Sequence, residues 1–275
     1  MIDEKIVLLQ DEKNINKVVK DFVDDFWFVP QDVLLRSVET LIWAKRYFEP
    51  PVLDIGIGNG SNSKHLFSMN QIIDVGIDND PKGVKLAKNC GMYRKVEVVD
   101  ATKMTLKSSS FNTVVSNSTF EHIANDLSAV AEVSRVLKDN GLFYLTVPSP
   151  EHIKFLQDLG VNKFELDKYN ERVDHFHFRS KNEWGKIFLD NGLKIIFHET
   201  YFPKKVVNIW YKLHKIATFR PYKRELWSYL KDSPYGKLFP VVIVKPLLTQ
   251  LISKNVKISY KSKGAMQFFI TQKIK

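Results

Sequence analysis

Three glycines, Gly56, Gly58 and Gly60, fall on alternate positions in PPVLDIGIGNGSNSKHLF, residues 50–67, directly after a short apolar run. Glycine permits a tight turn and removes the side chains that would hold a ligand at a distance. If a helix opens there, its first N–H groups lack intrahelical partners and face the same ligand. Such a turn suits two ligand classes, dinucleotides and S-adenosylmethionine. The dinucleotide fingerprint is G-x-G-x-x-G, and the G-x-G-x-G spacing here does not fit it. Asp78 closes the next apolar run, where a carboxylate can accept both hydroxyls of a ribose. Asp100 closes a third run in VVDA, and VVSNSTFEHI follows a fourth.

Those polar groups need strands to carry them. Strands are expected over VLDIG, IIDVGID, KVEVVD, FNTVVSN and LFYLTV, with helices between. SNSKHLFSM, residues 61–69, reads as a helix. Asp80-Pro81 is a cap followed by proline at a helix start. DLSAVAEVSRVLKD reads as a helix closed by Asn140-Gly141. Ser180 and Glu183 have capping-box spacing. LKIIFHETYF and AMQFFITQKI supply a sixth and a seventh strand. Upstream, residues 12–48 read as two helices around FVPQD, ended by Pro50-Pro51. Strands alternating with helices argue for a parallel sheet wrapped on both faces, its polar strand ends converging on one crevice.

VLDIGIGNG, VGIDND, VEVVDA, SFNTVVSNSTFEHI and VSRVLKDNGLFYLTVPS occur in an order and spacing that resembles the class I S-adenosylmethionine-dependent methyltransferases. The likeness is to the broad group acting on small molecules, lipids and glycans. It covers about residues 50–200, and the final strand fits it too. The resemblance implies an α/β fold: a Rossmann-like three-layer sandwich whose seven-stranded, mostly parallel sheet has an antiparallel last strand. N-terminal helices and a helical insertion before the last strand complete it. The expected division is 1–50 as a helical cap, 51–203 as the cofactor-binding core, 204–263 as the insertion and 264–275 as the final core strand.

The same resemblance implies roles for residues. Asp54, Gly56, Gly58 and Gly60 cradle the methionine part of the cofactor. Asp78 holds the ribose, with Asn79 beside the adenine. Asp100 accepts from the adenine amino group, and Ala101 offers its backbone N–H. Ser116 and Asn117 line the floor near the transferred methyl. Ile57 stands where small residues are common and is expected to narrow the pocket.

Methyl transfer is an in-line displacement, so positioning supplies much of the rate, and a hydroxyl acceptor also benefits from a base. His122 follows the fourth strand and is one candidate base; the other reading is that Glu121 and His122 pin the loop by hydrogen bonds. His175 is preferred over His177, in DHFHFRS, as a second histidine over the site. No metal site is expected: the single cysteine, Cys90, excludes thiolate zinc. It also excludes an internal disulfide and fits a reducing cytoplasm. The sequence reads SNSTF where base-amino methylating enzymes carry Asp/Asn-Pro-Pro-Tyr/Phe, which disfavours that chemistry.

Charge is unevenly spread. Residues 204–275 hold 16 Lys and Arg against 2 Asp and Glu, a net +14, whereas residues 1–203 net −4. KVVNIWYKLHKIATF within that basic stretch is expected to be an amphipathic helix burying Val206, Ile209, Trp210, Leu213, Ile216 and Ala217. LFPVVIVKPLLTQLI is apolar but too short and too interrupted at Lys245-Pro246 to span a bilayer. Neither a signal peptide nor a membrane-spanning helix is expected. The insertion has three readings: contact with an anionic membrane, a plain lid, or a nucleic-acid grip. The expected protein is a cytoplasmic methyltransferase using S-adenosylmethionine, working on oxygen of a small molecule, glycan or lipid-linked acceptor and peripheral to the inner membrane face in the membrane reading. An RNA-directed enzyme and a non-catalytic S-adenosylmethionine binder remain as alternatives.

Overall fold

The computed structural model describes residues 12–44, 46–67, 71–232, 241–258 and 263–274. The expected helix over 61–69 is therefore described only as far as Phe67, and the first three residues of LFPVVIVKPLLTQLI lie outside the described residues. The chain forms two compact units, one of residues 47–64, 68–201 and 263–275, the other of 1–46, 65–67 and 202–262.

The first unit is the α/β core. Its strands are β1 (Val52–Ile55), β2 (Ile73–Asp78), β3 (Tyr93–Val98), β4 (Phe111–Asn117), β5 (Leu137–Pro148), β6 (Leu193–Tyr201) and β7 (Met266–Lys273). They make one sheet in the order β3-β2-β1-β4-β5-β7-β6. β1 to β5 run parallel, and β7 is antiparallel to both β5 and β6. This is the Rossmann-like sheet expected of the fold. β1 is buried along its whole length, as a central parallel strand covered on both faces must be. Leu53, Ile55, Val114, Phe143, Leu145, Phe188 and Phe269 pack into one core. Each such side chain contributes about 1.5–3 kcal/mol by leaving water.

The connections place the strand ends. Asp80 accepts from the N–H groups of Lys82 and Gly83 and opens a helix at Pro81. Ser180 and Glu183 form the expected capping box at Lys181–Asp190. The helix from Asp126 ends at Val136, short of Asn140-Gly141. There Leu137 turns extended, and the N–H groups of Ser109 and Ser110 take the carbonyls of Arg135 and Val136. Leu137 then pairs with Phe111, and a register shift absorbs the residues up to Leu142. Two further helices, Pro150–Asp158 and Lys163–Val173, add to the expected set. The second has its own signal, an Asn162–Glu165 capping box.

The second unit is helical. It holds α1 (Glu12–Phe26), α2 (Pro30–Trp43), α3 (Lys204–Ala217), α4 (Leu226–Asp232) and α5 (Val241–Ile258). α5 packs on α1 and α2, and α3 on α2. Lys245 Nζ ties α5 to α1 by donating to the Asp24 carbonyl at 2.9 Å. The buried face of α3 is Val206, Val207, Trp210, His214 and Ala217, while Ile216 is exposed. That face is rotated from the expected one: Val207 and His214 are buried, and Trp210 stacks on His214 at 5.1 Å between ring centroids. α5 runs through Lys245-Pro246, the polar interruption of its apolar stretch. No helix among the described residues is long and apolar enough to cross a membrane.

Candidate functional site

β1, β2, β3 and β4 end side by side, and a cavity of about 310 Å³ opens at their C-terminal ends. Gly56, Asp78, Asn79, Asp100, Ala101 and His122 line it. These are the predicted residues that the structure brings together. Ile55, Ile77, Val99 and Ile123 give it apolar walls, and Thr102, Thr119, Ala124 and Asn125 complete the lining. Thr119 is not among the predicted residues although it lies in SNSTFEHI. The rest carry no local signal: apolar strand-end residues become walls only when neighbouring strands are aligned.

The glycine turn is held by Asp78. Its carboxylate accepts from the Gly58 N–H at 2.7 Å and from the Asp80 N–H at 2.9 Å. Gly56 has φ +85°, and a Cβ built there would stand 2.1 Å from the Thr119 hydroxyl oxygen. Gly60 has φ +78°, with Cys90 Sγ 2.8 Å from where its Cβ would be. Nothing lies within 4 Å of a Cβ built on Gly58, whose φ is +52°. The glycines thus serve backbone conformation and close packing at Gly56 and Gly60, and leave open space at Gly58.

Asp100 accepts from the Thr102 N–H at 2.8 Å and the Thr102 hydroxyl at 2.7 Å. The backbone bond is the main reason its pKa lies below the usual carboxylate value. Asp100 is therefore an anion at the cavity wall.

Six predicted residues lie outside the lining: Asp54, Gly58, Gly60, Ser116, Asn117 and His175. Ser116 and Asn117 are held in the sheet instead. Ser116 is buried and donates to the Ile55 carbonyl at 2.9 Å, and the Asn117 side-chain oxygen accepts from Thr146 at 2.8 Å. Both bonds lace β4 to its neighbours. Ile57 does not narrow the cavity either; it is buried, and a Cβ on Gly76 would meet its Cγ2 at 3.0 Å.

Asp54 is buried and accepts from the Tyr93 hydroxyl at 2.6 Å and the Ser63 hydroxyl at 3.3 Å. Burial pushes its pKa up to about 7, against the lowering effect of those two bonds, and raises that of Tyr93 as well. Tyr93 therefore stays protonated and donates. An acid with a raised folded pKa keeps a proton that the unfolded chain releases. Its stabilising contribution is full below about pH 4 and falls away as the pH rises to about 7, by about 1.4 kcal/mol per pH unit. Asp54→Asn should therefore gain stability relative to wild type between pH 5 and pH 8. Urea melts at the two pH values check this, and an unchanged difference would refute it.

His122 closes a single 3-10 turn, Phe120–His122, straight after β4. Its Nδ1 lies 3.2 Å from the Asp174 carbonyl, and its ring centroid 4.8 Å from that of His175. The 174–179 segment is laced to 121–126 along its length. The Phe176 N–H donates to the Glu121 carbonyl at 2.8 Å, and His177 Nε2 lies 3.1 Å from the Ala124 carbonyl. Arg179 donates twice to the buried Asp126, both bonds at 2.8 Å. The loop-pinning reading of this region thus has a physical basis in the backbone and in Arg179, beside the chemistry considered for His122.

An adenosine-bearing cation fits what is present. Asp78 and Asp100 offer acceptors to ribose hydroxyls and a purine amino group, Ile77 and Val99 offer apolar faces, and Gly58 leaves room beside the turn. A volume of 310 Å³ is at the lower end for small-molecule sites.

Residues 53–145 match the family model described as a methyltransferase domain. An uncharacterised protein of Methanocaldococcus jannaschii is 36% identical over 105 residues, which are 38% of this chain and 39% of that protein. The malonyl-[acyl-carrier protein] O-methyltransferase of Geobacter sulfurreducens is 30% identical over 123 residues, 43% of this chain and 46% of that enzyme. The chain thus spans less than half the length of these two curated relatives. Among solved structures, an S-adenosylmethionine-dependent methyltransferase from Thermotoga maritima has a TM-score of 0.56 at 17% identity, over 94% of this chain and 99% of that one. A chain of the complex between the Haloferax volcanii Trm112 methyltransferase activator and a methyltransferase scores 0.55 at 19% identity, over 94% and 98%. At such identities these two structures bear on the fold alone. The match to the methyltransferase-domain model thus runs from β1 into β5, across the strands that carry the cavity, and the sheet order agrees with that of the methyltransferase structures.

Proposed function

We propose that the protein transfers a methyl group from S-adenosylmethionine to an oxygen of a small-molecule, glycan or lipid-linked acceptor. The observation that carries this is the convergence of Gly56, Asp78 and Asp100 on one cavity at the ends of β1, β2 and β3. When bound, S-adenosylmethionine supplies an electrophilic methyl on a sulfonium. The chain's part is to hold it: Asp78 and Asp100 take the ribose and the purine amino group, and Ile77 and Val99 exclude water from the purine. The O-methyltransferase named among the relatives supports oxygen as the acceptor atom. His122 is the histidine in the lining and the candidate base for a hydroxyl acceptor.

The lipid-linked class is favoured by one feature of the helical unit. Val242, Ile243 and Leu247 on α5 are exposed, at 86%, 61% and 61%. Beside them Lys17, Lys20 and Lys245 line an apolar groove with Val241 and Pro246. Exposed apolar side chains suit a membrane interface; Lys17, Lys20 and Lys245 are paired with Asp21 and Asp24, so the apolar side chains carry this reading rather than the lysine charges.

The test uses methyl-labelled S-adenosylmethionine with the purified protein and a total cell extract, separated into lipid, glycan, nucleic-acid, protein and small-molecule fractions. Label in the lipid, glycan or small-molecule fraction is expected. Label in RNA would replace the acceptor class, and binding of S-adenosylhomocysteine with no transfer to any fraction would favour a binding protein.

A further inference from the structure

Glu121, His122 and His175 come from two segments more than fifty residues apart, yet their ligand atoms lie within 4.8 Å of one another. We propose that these three side chains hold a divalent transition-metal ion at the edge of the cofactor cavity, with its remaining positions open to an oxygen of the acceptor.

The donor set argues for the metal class. Two imidazoles and one carboxylate suit zinc, manganese, iron or cobalt, whereas magnesium and calcium prefer all-oxygen shells. Three protein ligands with an open position are the pattern of catalytic rather than structural zinc. In a tetrahedral site, bonds of about 2.0–2.1 Å put ligand atoms about 3.3 Å apart. The widest separation in the cluster would therefore contract by at most about 1.5 Å on binding.

The surroundings prepare the site in three ways. The bond from His122 Nδ1 to the Asp174 carbonyl sets the tautomer and puts the lone pair of the ring on Nε2. Asp174 itself caps its helix with φ 51°, which turns the chain so that His175 follows beside His122. The bonds from Phe176 to Glu121 and from Arg179 to Asp126 then fix the two segments together. Glu121 is 2% exposed, and in such a low-dielectric setting its carboxylate attracts a cation more strongly than at the surface. His122 lines the cofactor cavity, so the metal would face the place where an acceptor approaches.

At that position the ion would bind the acceptor oxygen, make its proton easier to lose to water, and leave the oxygen a better nucleophile. The acceptor role rests on the methyl-transfer reading above; the metal site does not. The same histidines that could serve as bases become ligands.

The experiment titrates Co²⁺ into the full-length, tag-free protein after chelator treatment, following visible absorption and calorimetry. One Co²⁺ per chain with a d–d spectrum is expected. His122→Ala and His175→Ala should each weaken it at least about tenfold, and Glu121→Gln likewise, with circular dichroism confirming that each variant is folded. No Co²⁺ binding by wild type, or binding that both histidine substitutions leave unchanged, would overturn the site. S-adenosylhomocysteine binding by wild type is measured on the same sample. Its failure would count against the methyl-transfer reading and leave the metal result standing.

Discussion

Asp78→Ala is expected to weaken S-adenosylhomocysteine binding at least about 100-fold in isothermal titration calorimetry. Each hydrogen bond to a charged group contributes about 1.5–3 kcal/mol, and a ribose offers two hydroxyls to this carboxylate. Two such bonds amount to about 3–6 kcal/mol, and 1.4 kcal/mol is tenfold. The substitution also takes the acceptor from the N–H groups of Gly58 and Asp80, so the glycine turn loses its internal brace. Asp78→Asn, which keeps one acceptor oxygen, should fall between the two. An affinity for Asp78→Ala within about threefold of wild type would end the assignment of this cavity to S-adenosylmethionine.

Gly56→Ala should cost about 2–5 kcal/mol of stability. A left-handed backbone conformation costs an L-residue about 1–2 kcal/mol, and overpacking adds about 1–3 kcal/mol. The backbone at Gly56 has φ +85°, and the new methyl would overlap the Thr119 hydroxyl and methyl at 2.1 and 2.4 Å. For a chain of this size a loss of that order lowers Tm by about 10 °C. Cofactor binding should fall with it, because Gly56 both lines the cavity and pins the turn to β2 through its N–H on the Ile77 carbonyl at 2.9 Å. Adding Thr119→Ala removes two of the three overlapping atoms but not the backbone cost. The double variant should therefore recover part of the loss, a coupling expected of residues in contact. Scanning calorimetry decides it: a Tm within about 2 °C of wild type for Gly56→Ala would contradict the packing at this turn.

Local sequence was a good guide wherever a local force sets the outcome. Asp80-Pro81 and Ser180–Glu183 cap their helices because the capping bonds span three residues or fewer. Asp78 and Asp100 reach the cavity because each ends a strand, and parallel strands deliver their C-terminal ends to one edge. Local sequence says less where a side chain chooses between two nearby partners. Ser116 and Asn117 sit at the end of β4 as expected, but their hydrogen bonds go to Ile55 and Thr146, and the cavity takes Thr119 instead. The end of the helix at Val136 was hidden for a similar reason: its last carbonyls are claimed by Ser109 and Ser110, more than twenty residues earlier in the chain.

By itself, then, the sequence determined the alternating elements, the glycine turn and the acidic strand ends, since these follow from residue type and short-range spacing. Only the tertiary structure decided which strand-end residues face the cavity and that Asp54 turns to Tyr93. It alone rotated the buried face of α3 and brought Glu121, His122 and His175 together. Each of these depends on contacts between segments distant in the chain, whose energies no local pattern encodes.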